Sequence, residues 1–197
     1  MKKRALVVID VQESFRQRPS WATISNPDIA KSVGRLVEAF RARGEFIVWV
    51  LHVEPGTGNV FDPERGFVRC LDGLEPGPGE PVVTKTSHNS FTTTNLQQLL
   101  TSEGVGEVVV CGIRTEQCVE TTARVASDFG YDVTFVTEAT ATNPIEHRDA
   151  PPDRSIDEIL ADPRTLRVEE IIARTEYALA GRFADIRTVD EVAQLSL

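Results

Sequence analysis

The feature that most constrains this chain is the alternation of short, β-branched apolar runs with amphipathic stretches. Residues 5–9 read Ala-Leu-Val-Val-Ile, and residues 46–51 and 107–111 form comparable runs. Runs that are apolar throughout, rather than at every second position, suit strands buried on both faces. Between them, residues 28–43 place Ile29, Val33, Leu36, Val37 and Phe40 at helical spacing, closed by Gly44. Residues 81–84 and 131–136 read as further strands. Residues 94–103 read as a helix, with Thr94 or Asn95 near its start and Gly104 at its end. Val168, Ile171, Ile172, Thr175 and Leu179 predict a helix over 167–180, followed by a last strand at 183–186 and a short helix at 189–195. Residues 54–80, rich in Gly and Pro, and residues 137–153 read as loops. Strands alternating with helices imply an α/β fold with three layers, α/β/α, around a mostly parallel central sheet of about six strands, Rossmann-like in architecture. No internal repeat or composition break appears, so residues 1–197 are expected to form one domain.

In open α/β sheets, ligands bind at the carboxyl ends of the strands. Three reactive residues fall there. Asp10 ends the first strand, Lys85 follows Val82-Val83-Thr84, and Cys118 follows the strand ending at Cys111. Gly112 supplies a tight turn and Thr115 is a capping candidate, so residues 118–130 read as a helix with a thiol in its first turn. Free N–H groups and the helix dipole favour an anion at that place. The expectation is a lowered thiol pKa and a reactive thiolate, beside N–H groups suited to an oxyanion. Each residue also has a bland reading: a loop-capping aspartate, a solvated lysine, a small buried cysteine. Their common location at strand ends favours the functional one.

The balance of 21 Lys+Arg against 30 Asp+Glu gives a net charge of −9, which disfavours nucleic acid and anionic membranes as partners. Cys70, Cys111 and Cys118 are odd in number and lack C-x-x-C spacing, so they form neither a disulfide framework nor a zinc ribbon. A reducing compartment fits them best. The N-terminal apolar run is too short for a signal peptide and ends in a carboxylate, and no stretch is long enough to span a bilayer. A cytoplasmic protein acting on a small molecule is the expectation.

Four segments carry a family resemblance. They are Leu6-Val7-Val8-Ile9-Asp10-Val11-Gln12-Glu13-Ser14-Phe15; Lys85-Thr86-Ser87-His88-Asn89-Ser90-Phe91, running on to Thr94-Asn95-Leu96; Val110-Cys111-Gly112-Ile113-Arg114-Thr115-Glu116-Gln117-Cys118-Val119; and Thr121-Thr122-Ala123-Arg124 through Asp128-Phe129-Gly130-Tyr131-Asp132-Val133. Together they resemble the isochorismatase-like cysteine hydrolases, which include nicotinamidases and N-carbamoyl amidohydrolases. The resemblance spans residues 5 to about 145. It implies a Cys-Asp-Lys triad, in which Cys118 attacks a carbonyl carbon, Asp10 takes and later returns its proton, and Lys85 pairs with both. A cation there is expected to lower both neighbours' pKa values. A thioester acyl-enzyme is then hydrolysed by water. The resemblance further implies a non-proline cis peptide at Ile113–Arg114, which aims the N–H groups of Arg114 and Cys118 at the oxyanion. Relatives commonly carry a small or apolar residue at the Arg114 position. Two roles fit the arginine, lining the pocket to bind a carboxylate or pointing to solvent.

The pattern departs from nicotinamidases at the metal segment. Residues 49–54 read Trp-Val-Leu-His-Val-Glu, with no Asp before His52 and no later His before His88. Three His in the whole chain give poor support for a zinc site, so no metal and no cofactor are expected. Gln12, Phe15, Trp21, His52, His88 and Asn89 are candidate pocket residues, a turn role being equally open for His88 and Asn89. A homo-oligomer is expected from the resemblance, with residues beyond Arg167 at the interface. The leading function is C–N hydrolysis in a small amide, ureido or carbamoyl compound. The alternatives are vinyl-ether hydrolysis, which needs only Asp10 as acid, and a non-catalytic binding protein on the same fold.

Overall fold

The computed structural model describes residues 2–194. Its strands are β1 (Lys3–Ile9), β2 (Phe46–His52), β3 (Val82–Lys85), β4 (Val105–Ile113), β5 (Asp132–Ala141) and β6 (Asp185–Arg187). They form one sheet in the order β3-β2-β1-β4-β5-β6, every neighbouring pair parallel. The helices are α1 (Glu13–Arg16), α2 (Ile29–Ala42), α3 (Leu96–Ser102), α4 (Glu120–Asp128), α5 (Ile156–Ala161), α6 (Val168–Leu179) and α7 (Val189–Ala193). Leu195, at the end of the expected last helix, lies outside the described residues.

The sheet divides two apolar layers. Leu6 and Val8 of β1 face Ile29, Val33, Leu36 and Phe40 of α2 and Val189 and Val192 of α7. Ala5, Val7 and Ile9 face Leu96 and Leu100 of α3, Ala123 and Ala126 of α4, and Leu179 of α6. A strand alternates its side chains between faces, so both must be apolar where helices cover both. That is why β1 reads as an unbroken apolar run.

Several boundaries differ from the sequence reading. Lys85 is the last residue of β3 rather than the residue after it. β5 runs on to Ala141, five residues beyond the expected end, because its register shifts against β4. Phe135 pairs with Val110 before the shift, and Thr140 pairs with Gly112 after it. The residues between bulge out, and the polar Thr137-Glu138 there ends the apolar run early. Helix α5 was not expected at all. Ser155 accepts from Glu158 N while the Glu158 carboxylate accepts from Ser155 N, a capping box that builds this short helix. Between β4 and α4, residues Thr115–Val119 form a wide turn of π type rather than the first turn of an α-helix. Thr115 does not cap it: the Thr115 hydroxyl is buried and donates to Thr140 Oγ1 at 2.8 Å.

Candidate active site

The strand order reverses direction between β1 and β4, which makes the carboxyl ends of these two strands the switch point of the sheet. Asp10 follows β1 directly. Its backbone is left-handed, φ 55°, a region Asp tolerates better than most residues, and its N–H donates to Val50 O at 2.8 Å. The chain thus leaves the strand sharply. Ile9 lies in register with Gly112 of β4. A Cβ on Gly112, φ 135°, would stand 1.8 Å from Ile9 O, so only glycine lets the two strand ends meet here.

Gly112 leads into the cis peptide Ile113–Arg114 and then the wide turn. Arg114 O accepts from both Gln117 N and Val119 N, each at 3.2 Å. Cys118 sits inside this turn, 8% exposed. Its carbonyl accepts from Thr122 Oγ1 at 2.6 Å, and the same hydroxyl oxygen accepts from Ser90 N at 3.0 Å. Thr122 therefore ties the cysteine turn to the segment that follows β3.

Lys85 ends β3, two strands away from β1. Strand spacing makes that about 10 Å, so only a long side chain crosses β2 to reach the switch point. Fully buried, it arrives there: Nζ lies 2.7 Å from Asp10 Oδ2, and donates to Cys118 Sγ at 3.4 Å and to Ser87 O at 3.1 Å. The contact with Asp10 is an ion pair off the hydrogen-bond direction. Neither carboxylate oxygen of Asp10 has a hydrogen-bond partner among the described residues.

The expected lowering of the thiol pKa is overturned. Burial pushes the Cys118 thiol up, to about 12, and the negative charge of Asp10 adds to the rise; Lys85 only partly offsets them. Burial likewise holds the Asp10 carboxyl above its ordinary value, against the pull of Lys85. Two acids of raised pKa, in reach of one another, favour a single proton shared between them.

The other candidates divide. His52 lies beside the triplet, in register with Lys85. Burial, then the Lys85 charge, pushes its pKa down, so its imidazole is neutral. Nε2 lies 3.2 Å from Glu54 Oε1; that carboxylate only accepts, which places the proton on Nε2 and leaves the buried Nδ1 as a free acceptor. Phe15 is buried and packs edge-on against Phe61, ring centres 5.0 Å apart, and Phe61 packs in turn against His52 at 5.5 Å. Trp21 is half-buried against the α2 side of the core.

Two candidates, Gln12 and Asn89, spend their side-chain groups within the protein, and a third, His88, lies on the surface. The amide of Gln12 is fully used: Oε1 accepts from His52 N, while Nε2 donates to His52 O and Ser14 Oγ. It clamps the end of β2. Asn89 closes its own turn, with Oδ1 accepting from Phe91 N and Thr92 N, both at 2.9 Å. His88 is exposed. Cys111 is fully buried in β4 and Cys70 is half-buried in the long loop, where burial raises its thiol to about 11.

Among the described residues no group of three or more His, Cys, Asp or Glu side chains is placed to hold a metal ion. His52 and Glu54 offer two ligands and lack the Asp and second His of the nicotinamidase metal segment. Nor is any described helix long and apolar enough to cross a membrane. Phe61, packed against His52, and Arg18, stacked over the Phe61 ring, were missed from sequence. A large aromatic within a Gly/Pro-rich loop was the available signal for Phe61, one that Phe67 carries equally.

A family model described as the isochorismatase domain matches residues 4–154. The isochorismatase family protein YddQ of Bacillus subtilis (strain 168) is 32% identical over 194 residues, covering 94% of this chain and 96% of its own length. Streptothricin hydrolase of Streptomyces noursei is 37% identical over 141 residues, 71% of this chain but 54% of that protein. In three dimensions, an isochorismatase from Pseudomonas putida KT2440 superimposes with a TM-score of 0.81 at 29% identity, over 95% of this chain and 89% of its own. Fold and relatives together define a hydrolase built on a parallel α/β sheet. This chain belongs to the isochorismatase family.

Proposed function

We propose that this protein hydrolyses a C–N bond in a small amide, ureido or carbamoyl compound, with Cys118 as nucleophile. The observation that carries the reading is the buried triplet at the switch point, with Lys85 against both Asp10 and Cys118 and the Asp10 oxygens otherwise unoccupied. Asp10 accepts the thiol proton as Sγ attacks the carbonyl carbon. The oxyanion is held by the backbone N–H groups of Arg114 and Cys118. Protonated Asp10 then gives its proton to the departing nitrogen, leaving a thioester on Cys118. Water, deprotonated by Asp10, cleaves the thioester and restores the thiol. Lys85 keeps a positive charge beside a carboxylate and a sulfur that exchange one negative charge through the cycle. His52 Nδ1 serves as an acceptor for an N–H of the substrate.

Vinyl-ether hydrolysis needs an acid but no nucleophile, and would leave the Lys85–Cys118 contact without a role. The test is an assay of wild type, Cys118→Ala and Asp10→Asn on primary amides, ureides, N-carbamoyl compounds and a vinyl ether. Mass spectrometry of acid-quenched reactions would look for an acyl adduct on Cys118. The expected result is amide or ureide turnover lost in both variants, with the adduct present in wild type. Amide turnover surviving in Cys118→Ala would overturn the reading. Turnover of the vinyl ether by Cys118→Ala, lost in Asp10→Asn, would establish the alternative chemistry.

The reading extends to self-association. Tyr177 of α6, 88% exposed, and Leu166 just before that helix, 41% exposed, support an interface on this side. A monomeric mass by light scattering would refute it.

A further inference from the structure

Lys85 and Cys118 touch through their side chains, and a second route joins them. Residues 86–95 connect β3 to α3 and form an internally bonded unit. Thr93 Oγ1 accepts from Thr86 N at 3.0 Å and from Ser87 N at 3.3 Å, Ser87 Oγ donates to Asn89 O at 2.9 Å, and Thr94 Oγ1 donates to Ser90 O at 2.6 Å. At one end of the unit, Ser87 O accepts from the Lys85 ammonium at 3.1 Å. At the other, Ser90 N donates to Thr122 Oγ1 at 3.0 Å, and Ser90 Oγ lies 3.1 Å from the same oxygen. Ser90 and Thr122 are both fully buried.

The protons on this link have one arrangement. A threonine hydroxyl carries one proton and two lone pairs. Thr122, in the first turn of α4, gives its proton to Cys118 O at 2.6 Å. Its oxygen is left to accept, so Ser90 N and Ser90 Oγ both donate to it, and no other orientation of the hydroxyl keeps all three bonds. The bonds close a ring. It runs from Lys85 Nζ to Ser87 O, along the chain to Ser90, through Thr122 Oγ1 to Cys118 O, and from Cys118 Sγ back to Lys85 Nζ at 3.4 Å. Asp10 and the Cys118 turn follow β1 and β4, which pair directly. Lys85 reaches them from β3, which pairs with neither. The buried link supplies the fixed point that a flexible lysine stem lacks.

We infer that Thr122, with Ser90, is a positioning residue for the reaction: its hydroxyl locks the connection after β3 onto the turn of Cys118 and so keeps the Lys85 ammonium against the thiol. This deepens the function proposed above and rests on Cys118 as its nucleophile. Among the described residues, neither side chain hydrogen-bonds Cys118 Sγ, the Asp10 carboxylate or the Lys85 ammonium, so both act through the segments they join. Valine matches threonine in shape and lacks the hydroxyl, so Thr122→Val separates the bond from the packing.

The probe is iodoacetamide, which forms a thioether on Cys118 and releases iodide, with mass spectrometry assigning the site and a Cys70→Ser background removing the half-buried thiol. Rates are read across pH in folded protein, below the unfolding transition of every variant. Lys85 is the cation that draws the thiol pKa down, so a loosened ammonium should move the profile to higher pH. In Thr122→Val the rate at neutral pH is expected to fall by about 10-fold, the equivalent of moving the profile by about one pH unit. Thr122→Ala removes the hydroxyl without setting a methyl group against Ser90 N, and should behave alike if the valine variant fails to fold. Thr122→Ser keeps the hydroxyl and should restore the wild-type profile. In a Lys85→Met background, removing the hydroxyl should no longer move the profile, because its effect passes through the ammonium. A wild-type profile in either hydroxyl-free variant overturns the inference, whatever its stability. So does a shift that survives Lys85→Met, or one that Thr122→Ser fails to reverse. Failure of the reagent to modify Cys118 in the wild type, even in alkaline solution, would instead strike at the nucleophile itself, and so at the function on which the positioning depends.

Discussion

The ammonium of Lys85 and the carboxylate of Asp10 face one another at 2.7 Å with both side chains fully buried, though their strands are not neighbours in the sheet. A pair so enclosed is held by the surrounding fold, and removing one member leaves the other as a buried, uncompensated charge. Lys85→Met is therefore expected to raise the pKa of both Asp10 and Cys118 further, since Lys85 is the cation that pulls each down. Turnover should fall by about 100-fold or more at neutral pH, as the base becomes protonated. The pH profile of Cys118 alkylation by iodoacetamide should move to higher pH than in wild type. An unmoved profile would show that Lys85 does not tune the thiol.

Gly112 tests how closely the two strand ends must approach. In Gly112→Ala the new methyl group would overlap Ile9 O, at 1.8 Å, in a backbone region that side chains disfavour. The neighbour is backbone in the middle of the sheet, and it cannot yield without parting β1 from β4. A loss of about 3 kcal/mol or more follows, with soluble yield falling in step. Chemical denaturation of any protein recovered measures it. A variant as stable as wild type would mean that the strands part easily here.

How far the sequence disclosed this molecule depends on whether the deciding contacts are local. The runs at 5–9 and 46–51 were legible because burial on both faces leaves a purely apolar signature. Asp10, Lys85 and Cys118 were legible as strand-end residues because the topology rule needs only strand positions. β5 beyond Val136 was hidden by the bulge, where Thr137 and Glu138 break the apolar run. The α5 helix carried its signal openly, Ser155 three residues before Glu158, but no strong apolar stripe drew attention to it. Gln12 was misjudged because the group that uses up its amide, the backbone of His52, comes from another strand. The thiol pKa was misjudged for a related reason. A local dipole argument cannot weigh desolvation, and burial beside Asp10 outweighs it.

Glu120 links the helix behind the nucleophile to α6. Only 4% exposed, it accepts from Arg124 Nε and Nη2, from Arg174 Nη1 and from Thr175 Oγ1. Glu120→Gln removes the charge that two guanidinium groups share and turns amide hydrogens toward donors. Destabilisation of roughly 2–3 kcal/mol is expected. Because α4 carries the turn of Cys118, kcat should drop several-fold while KM changes little. A variant that loses stability with kcat unchanged would confine Glu120 to a structural role.

Glu80 gives a prediction with a definite pH sign. Its Oε1 accepts from Arg41 Nε at 2.6 Å, and its Oε2 accepts from Arg41 Nη2, Gly77 N and the buried indole of Trp49. The Arg41 bonds, ahead of those from Gly77 and Trp49, hold its carboxyl at about 2, below its usual 4.5. A depressed carboxylate adds stability above its unfolded pKa, and that contribution fades as pH falls through the folded value. Glu80→Gln should therefore cost roughly 2 kcal/mol at pH 7, a Tm lower by about 4–8 °C for a chain of this length. The difference from wild type should hold at pH 5–7, narrow below about 4.5 and largely close near pH 2. Calorimetry of both proteins across this range tests the sign directly. A gap that is constant from pH 7 to pH 3 would show that packing, rather than the carboxylate's charge, binds Glu80 to Arg41 and Trp49.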